Sequence, residues 1–92
     1  MYIVSYDIVS DRLRRKVAKA LEDYGKRVQY SVFECRLDEV HYRKMYGRLS
    51  KLMTAAAEGS IRIYRLCPTC ESRTATMGNE RGPSGCEDLY II

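Results

Sequence analysis

One carboxylate stands out near the start of this sequence. Asp7 lies towards the end of the run from Tyr2 to Ile8, which is otherwise almost wholly apolar. An ionised carboxylate in such surroundings is costly unless a cation, hydrogen-bond donors or a metal ion stabilise it. Two interpretations are open: Asp7 bonds to the first turn of a following helix, or it is the centre of a working surface that holds a cation.

A two-fold axis would strengthen the second interpretation of Asp7. Mg²⁺ usually keeps several waters and takes one or two carboxylates, so that a single aspartate makes a poor site. If Asp7 lies near the axis of a homodimer, one residue type supplies two carboxylates to one site. Their mutual repulsion would then favour a bound cation.

Basic side chains follow Asp7 closely in the sequence. Between residues 12 and 27 there are seven of them, opposed only by Glu22 and Asp23, in a chain of net charge +4. They are Arg12, Arg14, Arg15, Lys16, Lys19, Lys26 and Arg27. A concentrated basic patch attracts a polyanion such as nucleic acid. An ordinary solvated helix face is the alternative interpretation.

The four cysteines are a second group that could do chemistry. Cys67 and Cys70 have the spacing of a metal or redox site, whereas Cys35 and Cys86 stand alone. A second close pair is missing, and we expect no helix to begin after the motif. Disulfides are also disfavoured in the cytosol. Reduced structural thiols are therefore the favoured interpretation, with zinc binding as the alternative.

Hydrophobic periodicity predicts the elements that position these residues. Residues 2–8 are apolar and rich in β-branched and aromatic side chains, which is typical of a strand. Ser10 or Asp11 can cap the helix that follows, and apolar residues then recur at helical spacing to about Tyr24. We expect Gly25 to end this helix in the left-handed conformation.

The middle of the chain predicts a hairpin and a second helix. Residues 27–37 have strand composition but are too many for one strand, so we expect a kink or a tight hairpin near Ser31. Asp38 can cap a helix that is closed by Gly59. His41 falls on the polar face of that helix and is expected to face solvent.

The last third of the sequence predicts two short strands and a tail. Residues 61–66 and 73–77 have strand composition. Glycine, proline, asparagine and serine then mark a flexible connector. We expect domain boundaries at 1–78 for a ferredoxin-like domain and at 79–92 for the connector and an apolar C-terminal strand that joins a sheet edge.

The order of these elements predicts an α+β fold. Two helices cannot cover both faces of such a sheet, which favours a ferredoxin-like sheet with both helices on one face. Strand alternation places Ile3, Ser5 and Asp7 on one face of the first strand and the aromatic residues on the other. Because both sets are largely apolar, we expect a homodimer whose sheets pack face to face.

Targeting signals are not expected in this sequence. Asp7 interrupts the N-terminal apolar run, no basic residues precede it, and no stretch approaches the roughly 18 apolar residues that cross a membrane. We therefore expect a cytoplasmic protein without a membrane partner.

Several segments together resemble one protein family. They are Tyr6-Asp7-Ile8, Arg14-Arg15-Lys16-Val17, the run from Tyr24 to Glu34, and the run from Ile61 to Cys67 with a second cysteine three residues on. In order and spacing they resemble the second core CRISPR-associated protein family, the small dimeric partner of the CRISPR integrase, often called a CRISPR-associated endoribonuclease. The likeness spans about residues 2–77.

The resemblance implies a role in acquiring new spacers. A ferredoxin-like homodimer would bridge the CRISPR integrase and hold the DNA duplex to be inserted, with Mg²⁺ as cofactor and Asp7 as the metal ligand of each protomer. The resemblance gives Asp7, Tyr6 and Ser31 as the catalytic candidates. The nucleic-acid-binding candidates are Arg14, Arg15, Lys16, Arg27 and Phe33.

Three functions remain open at this point. The first is a metal-dependent phosphodiesterase that cuts RNA or DNA, and the second is a scaffold that binds duplex DNA without catalysis. The third is a toxin-type ribonuclease on the same fold, which the full segment from Gly25 to Glu34 makes less favoured. Single-stranded RNA is the alternative substrate. Phe33 is either a core residue or a platform for base stacking.

Overall fold

A four-stranded antiparallel sheet forms the centre of the computed structural model, which describes residues 1–56 and 58–78. Its elements in chain order are β1 (Tyr2–Asp7), α1 (Asp11–Glu22), β2 (Lys26–Gln29), β3 (Val32–Cys35), α2 (Glu39–Thr54), β4 (Ser60–Arg65) and α3 (Pro68–Ser72). The strand order β2-β3-β1-β4 confirms the predicted ferredoxin-like α+β fold. In the part of the chain described here, no helix is long and apolar enough to cross a membrane.

The core lies between one face of the sheet and the helices α1 and α2. Alternate residues of β1 are buried, as the strand period predicts, whereas Asp7 at its end is exposed. Phe33 of β3 and Leu21 of α1 are fully buried in the same cluster. Each such side chain contributes about 1.5–3 kcal/mol by leaving water. The helical and strand periodicities of the sequence are thus confirmed where the core is formed.

Side chains cap both long helices at their first turn. The Ser10 hydroxyl accepts a hydrogen bond from the Leu13 backbone N–H at 3.2 Å. An Asp38 carboxylate oxygen lies 2.8 Å from the His41 backbone nitrogen and 2.7 Å from its ring Nδ1. These bonds lower the pKa of Asp38. Asp38 therefore caps α2, as predicted. Of the two candidates for the cap of α1, Ser10 is the one that accepts the bond. His41 is exposed, as expected.

The predicted hairpin is confirmed, and the role expected of Gly25 is wrong. Strands β2 and β3 pair across a turn at Tyr30 and Ser31. Gly25 does not have the positive φ of a left-handed cap. Instead, a Cβ at this position would lie 2.9 Å from the Cys35 Cα and would collide with the Glu34 carbonyl oxygen. The glycine is required because two backbones approach closely here.

The second helix ends earlier than the sequence predicts. It stops at Thr54, and Gly59 lies in the connection to β4 rather than at the helix end. Gly59 has φ +111°, a conformation that glycine adopts without steric cost. A Cβ there would lie 3.3 Å from the Ile8 side chain and 3.4 Å from the Asp7 carbonyl oxygen. Gly59 therefore shapes the backbone beside Asp7.

The prediction of a strand over residues 73–77 is wrong. The chain forms the short helix α3 first, and residues 74–77 have no regular secondary structure. Cys67 caps α3, and Pro68 begins it with a φ already suited to a helix. The expectation that no helix begins at the cysteine motif is therefore wrong as well. The predicted connector and tail strand, residues 79–92, lie outside the described residues.

Candidate metal and nucleic-acid site at the end of the first strand

Asp7 is the last residue of β1, opposite Ser60 of β4, with an exposed side chain. The structure does not support the interpretation that Asp7 bonds to the first turn of the next helix, because Ser10 accepts that bond. Within residues 1–56 and 58–78, no ion pair or side-chain hydrogen bond holds the Asp7 carboxylate. Its oxygens are therefore accessible to a ligand from solvent.

The sheet face that carries Asp7 is the one without helices. Residues paired directly across strands share a face, so Ile3 of β1 lies beside Glu34 and Tyr64. Tyr64 is half exposed, and its hydroxyl accepts a hydrogen bond from Arg62 at 3.3 Å. The expectation that both faces are largely apolar is wrong for this one, which mixes apolar and charged side chains. We call it the open face.

Arg14 fixes the backbone that follows Asp7. Its Nη1 donates hydrogen bonds to the carbonyl oxygens of Ile8 at 2.9 Å and Val9 at 3.1 Å. Its Nη2 pairs with Asp11, and the guanidinium lies 5.7 Å from the centre of the Tyr30 ring. Most of its donors are thus used inside the chain, and its side chain is 24% exposed. The Arg14 guanidinium therefore has fewer donors left for a phosphate than a fully exposed arginine has.

Tyr6 holds β1 against the tip of the hairpin. Its backbone N–H donates to the Ser31 carbonyl oxygen at 3.1 Å. Its hydroxyl donates to the Tyr30 carbonyl oxygen and accepts from Arg27, each at 3.4 Å. Phe33 packs beside the Tyr6 ring, with centroids 6.3 Å apart, and the Arg27 guanidinium lies over the Phe33 ring. Four of the predicted site residues, Tyr6, Arg27, Ser31 and Phe33, are therefore brought together around Tyr6, the residue before Asp7.

The burial of these residues shows which side chains can touch a ligand and which lie in the core behind the surface. Phe33 is completely buried and Tyr6 is 3% exposed, so neither ring can stack on a base while the core is intact. Phe33 is thus a core residue, the alternative that the sequence left open. The exposed aromatic ring beside the site is Tyr30, at 69% exposure. Sequence reasoning missed Tyr30, although its place at a hairpin tip next to a basic helix was a usable signal.

The remaining basic candidates on α1, Arg15 and Lys16, are more exposed than Arg14. The Arg15 side chain is 80% exposed and lies 3.7 Å from Asp11. Lys16 lines an open groove of about 370 Å³ between α1 and α2. The groove is lined by Lys16, Lys19, Ala20, Arg48, Lys51 and Leu52. The approach of Arg48 and Lys51 to Lys16 depends on how the two helices pack, so no local pattern in the sequence indicates it.

Asp7 could serve as a ligand of a metal ion only together with further donors. Among the described residues, no group of three or more His, Cys, Asp and Glu side chains could hold a metal ion. Mg²⁺ accepts a single exposed carboxylate and completes its shell with water or a second carboxylate. The exposed Asp7 carboxylate therefore meets the requirement for one ligand of a largely hydrated Mg²⁺. Cys67 and Cys70 lie at the other end of the sheet.

Three comparisons place this geometry among known proteins. The chain is 43% identical over 91 residues to CRISPR-associated endoribonuclease Cas2 1 of Chloroflexus aurantiacus, covering 99% of this chain and 98% of that protein. It is similar to the crystal structure of Streptococcus pyogenes Cas2 at pH 6.5, with a TM-score of 0.71, 34% identity and coverage of 84% and 98%.

A chain of a partial Cas6-RT-Cas1–Cas2 complex is also similar to this protein. The TM-score is 0.72 at 28% identity, and the match covers 83% of this chain and 88% of that one. The family model for CRISPR associated protein Cas2 matches residues 1–74, which include every candidate site residue. With its ferredoxin-like sheet and Asp7 at the end of β1, the chain belongs to the CRISPR-associated protein Cas2 family.

Proposed function

We propose that this protein is a CRISPR adaptation factor that works as a homodimer. It binds duplex DNA, bridges the CRISPR integrase during spacer acquisition, and carries a Mg²⁺-dependent phosphodiesterase site at Asp7. The single observation that carries the catalytic part is the exposed Asp7 carboxylate at the end of a buried strand. Membership of the Cas2 family supports the adaptation role and makes the toxin-type alternative unnecessary.

The open face supports the dimer. Asp7 lies on the same side of β1 as Ile3 and Ser5, away from the helices. Packing two open faces around a two-fold axis would bring the two Asp7 side chains towards each other and would bury Ile3 and Tyr64. Two carboxylates at one site match the number that Mg²⁺ takes from proteins.

The chain's own residues would then prepare the site for phosphodiester cleavage. A bound Mg²⁺ would polarise a phosphate oxygen and lower the pKa of a bound water. Arg14 holds the backbone after Asp7 through Ile8 and Val9, and so steadies the end of β1 that carries the carboxylate. Tyr6 is committed to Tyr30 and Arg27, which gives it a positioning role. Ser31, half-buried at the hairpin tip, is the candidate that could touch substrate directly.

The nucleic acid would be held by exposed side chains on either side of this end of the sheet. Arg15 and Lys16 are exposed on α1 and can neutralise phosphates. Tyr30 offers an exposed ring on which an unpaired base can stack. Arg27 and Phe33 act behind Tyr6, by holding the hairpin against β1.

A scaffold without catalysis is the second candidate function. It is favoured by the similarity to a chain of a complex that contains Cas1 and Cas2. In this role the dimer would read duplex shape through phosphate contacts and dock on the integrase, and Asp7 would have no catalytic task. The two candidates share the basic surface, so Asp7 is the residue that separates them.

The test compares Asp7→Ala with Glu22→Gln, an exposed carboxylate at the end of α1. Each purified full-length protein is incubated with Mg²⁺ and duplex DNA or single-stranded RNA, and both cleavage and DNA affinity are measured. We expect Asp7→Ala to abolish metal-dependent cleavage and to leave DNA affinity unchanged, while Glu22→Gln behaves as wild type. Equal cleavage by Asp7→Ala would show that the catalytic assignment is wrong.

The bridging role has its own test. The protein should co-purify with the integrase at low salt, in the wild type and in Asp7→Ala alike. Removal of residues 87–92, which lie outside the described residues, should weaken that complex or the dimer. A protein that forms no complex at low salt would contradict the adaptation role, whatever its nuclease activity.

A further inference from the structure

Two exposed cysteines lie within one turn of chain at the end of the sheet that is remote from Asp7. Cys67 and Cys70 follow β4, whose residue Arg65 pairs with Tyr2 at the start of β1. The backbone N–H of Cys70 donates a hydrogen bond to the Cys67 sulfur at 3.4 Å. The proposed nuclease and scaffold do not use either thiol.

A third cysteine provides an internal contrast. Cys35 is completely buried in the core. Burial, and secondarily the charge of Glu34, raises its pKa to about 11. Because the thiolate and not the thiol is the nucleophile, Cys35 is unreactive at neutral pH as long as the protein is folded.

The exposed pair is electrostatically asymmetric. Hydrogen bonds from the backbone and side chain of Cys70 lower the pKa of Cys67. The reciprocal contact with the Cys67 side chain raises the pKa of Cys70. Cys67 is therefore the readier nucleophile of the two.

The backbone around the pair is held in place on both sides. Before it, Leu66 and Met1 exchange two backbone hydrogen bonds, at 2.7 and 3.2 Å. After it, Glu71 forms an ion pair with Arg36. These contacts keep the two thiols together on the surface instead of leaving them on a loose loop. Pairs of cysteines separated by two residues, held together in this way, are suited to forming a disulfide.

We propose that Cys67 and Cys70 form a reversible dithiol–disulfide site that exchanges with small-molecule disulfides of the glutathione class. The proposal goes beyond the nuclease and scaffold functions and does not depend on either. Its chemistry is set by the two thiols, and the oxidant is the small disulfide itself.

The exchange has two steps. The Cys67 thiolate attacks one sulfur of the small disulfide, the S–S bond of that reagent breaks, and one small thiolate leaves. Cys70 then loses its proton and attacks the Cys67 sulfur, which forms the Cys67–Cys70 bond and releases the second small thiolate. The two cysteines are oxidised by two electrons, the reagent is reduced to two thiols, and their two protons pass to the leaving thiolates.

The test uses the reduced full-length protein with oxidised glutathione, followed by alkylation of free thiols and mass spectrometry. We expect Cys67 and Cys70 of the wild type to escape alkylation, and peptide mapping to find the two cysteines joined to each other. Cys70→Ser should instead accumulate a glutathione adduct on Cys67. Cys67→Ser should react several-fold more slowly than Cys70→Ser, because the backbone N–H of residue 70, the main cause of the lowered pKa of Cys67, does not act on the Cys70 sulfur.

Two controls show that the reaction belongs to Cys67 and Cys70 of the folded protein. Cys35 should be alkylated only after unfolding, which verifies that each variant is folded. Cys86 lies outside the described residues, so Cys86→Ser is expected to form the same disulfide as the wild type. Reduced glutathione in excess should restore both free thiols.

Three outcomes would overturn the proposal. The wild type could form no bond between Cys67 and Cys70, or Cys67→Ser could form the adduct as fast as Cys70→Ser. The third is protein purified without chelator that holds stoichiometric zinc, resists alkylation at both cysteines and loses that protection with the metal. That result would identify the pair as zinc ligands instead.

Discussion

The two ends of β1 are built differently. At the Met1 end the polar groups are paired within the chain: Met1 bonds to Leu66, and Asp38 bonds to His41. At the other end, in the part of the chain described here, the carboxylate of Asp7 is exposed without a partner, and Val9 and Tyr30 expose large apolar surfaces beside it. The polar groups at the Met1 end of β1 thus have partners within the chain, whereas the Asp7 carboxylate at the other end is open to solvent.

This difference separates stability from function. A group that already has its partners adds to the free energy of folding and offers little to a ligand. An exposed carboxylate on a rigid strand, with its backbone fixed by Arg14, adds little to folding but can bind a ligand without reorganising. The Asp7 end is therefore where we place binding and catalysis, and the Met1 end is where we expect substitutions to unfold the protein.

The largest effect is expected at the Met1 end, for Gly25→Ala. The new Cβ would lie 2.9 Å from the Cys35 Cα, where backbone and not a flexible side chain must move. We expect a loss of about 3 kcal/mol in the free energy of unfolding, measured by chemical denaturation. Gly47→Ala is the control: nothing lies within 4 Å of its Cβ, so alanine in this helix should stabilise by about 0.5–1 kcal/mol. Equal stability of the two variants would contradict the close packing.

At the Asp7 end, Arg14→Lys should reduce catalysis more than binding. Lysine keeps the charge but cannot reach Ile8 and Val9 with a planar fork, so Asp7 loses its fixed backbone. We expect metal-dependent cleavage to fall about 100-fold, with DNA affinity little changed. Arg15→Ala should give the opposite result, with weaker binding and a salt dependence smaller by about one phosphate contact. If Arg14→Lys weakens binding and spares cleavage, Arg14 is a phosphate ligand.

A smaller effect is expected for Gly59→Ala, next to Asp7. Alanine at φ +111° costs about 1–2 kcal/mol, and its Cβ would press on Ile8 at 3.3 Å. We expect a modest loss in denaturant midpoint together with reduced cleavage, because the strain falls on the Asp7 backbone. A loss of stability without any change in cleavage would show that the Asp7 end tolerates backbone shifts.

The smallest effect concerns acid stability at the Met1 end. The folded-state pKa of Asp38 is lowered by its bonds to His41, so its contribution is present above the ordinary aspartate pKa and is lost as the pH falls through the lowered value. Asp38→Ser keeps a capping oxygen but does not titrate. Denaturation at a series of acidic pH values should therefore show a shallower loss for Asp38→Ser. Parallel curves would show that this carboxylate does not contribute to the pH dependence.

Much of the fold could be predicted because it is local. The caps Ser10 and Asp38, the buried face of β1 and the turn near Ser31 each depend on a few neighbouring residues. The strand predicted over residues 73–77 failed because five residues carry too little pattern to outweigh a Cys67 cap followed by Pro68. Gly25 was assigned the common role of a glycine after a helix, whereas the requirement comes from β3, which is distant in sequence.

The candidate site divides in the same way. By itself, the sequence determined that Asp7 is a charge at the end of an apolar strand, that basic residues follow it, and that the joint motif resembles one family. Only the tertiary structure decided that Arg14 bonds to the backbone after Asp7, that Phe33 is a core residue and that Tyr30 is exposed. It also decided that α2 brings Arg48 and Lys51 beside Lys16. The physical reason is that residue type fixes which bonds a side chain can form, whereas packing between distant segments fixes which partners it meets.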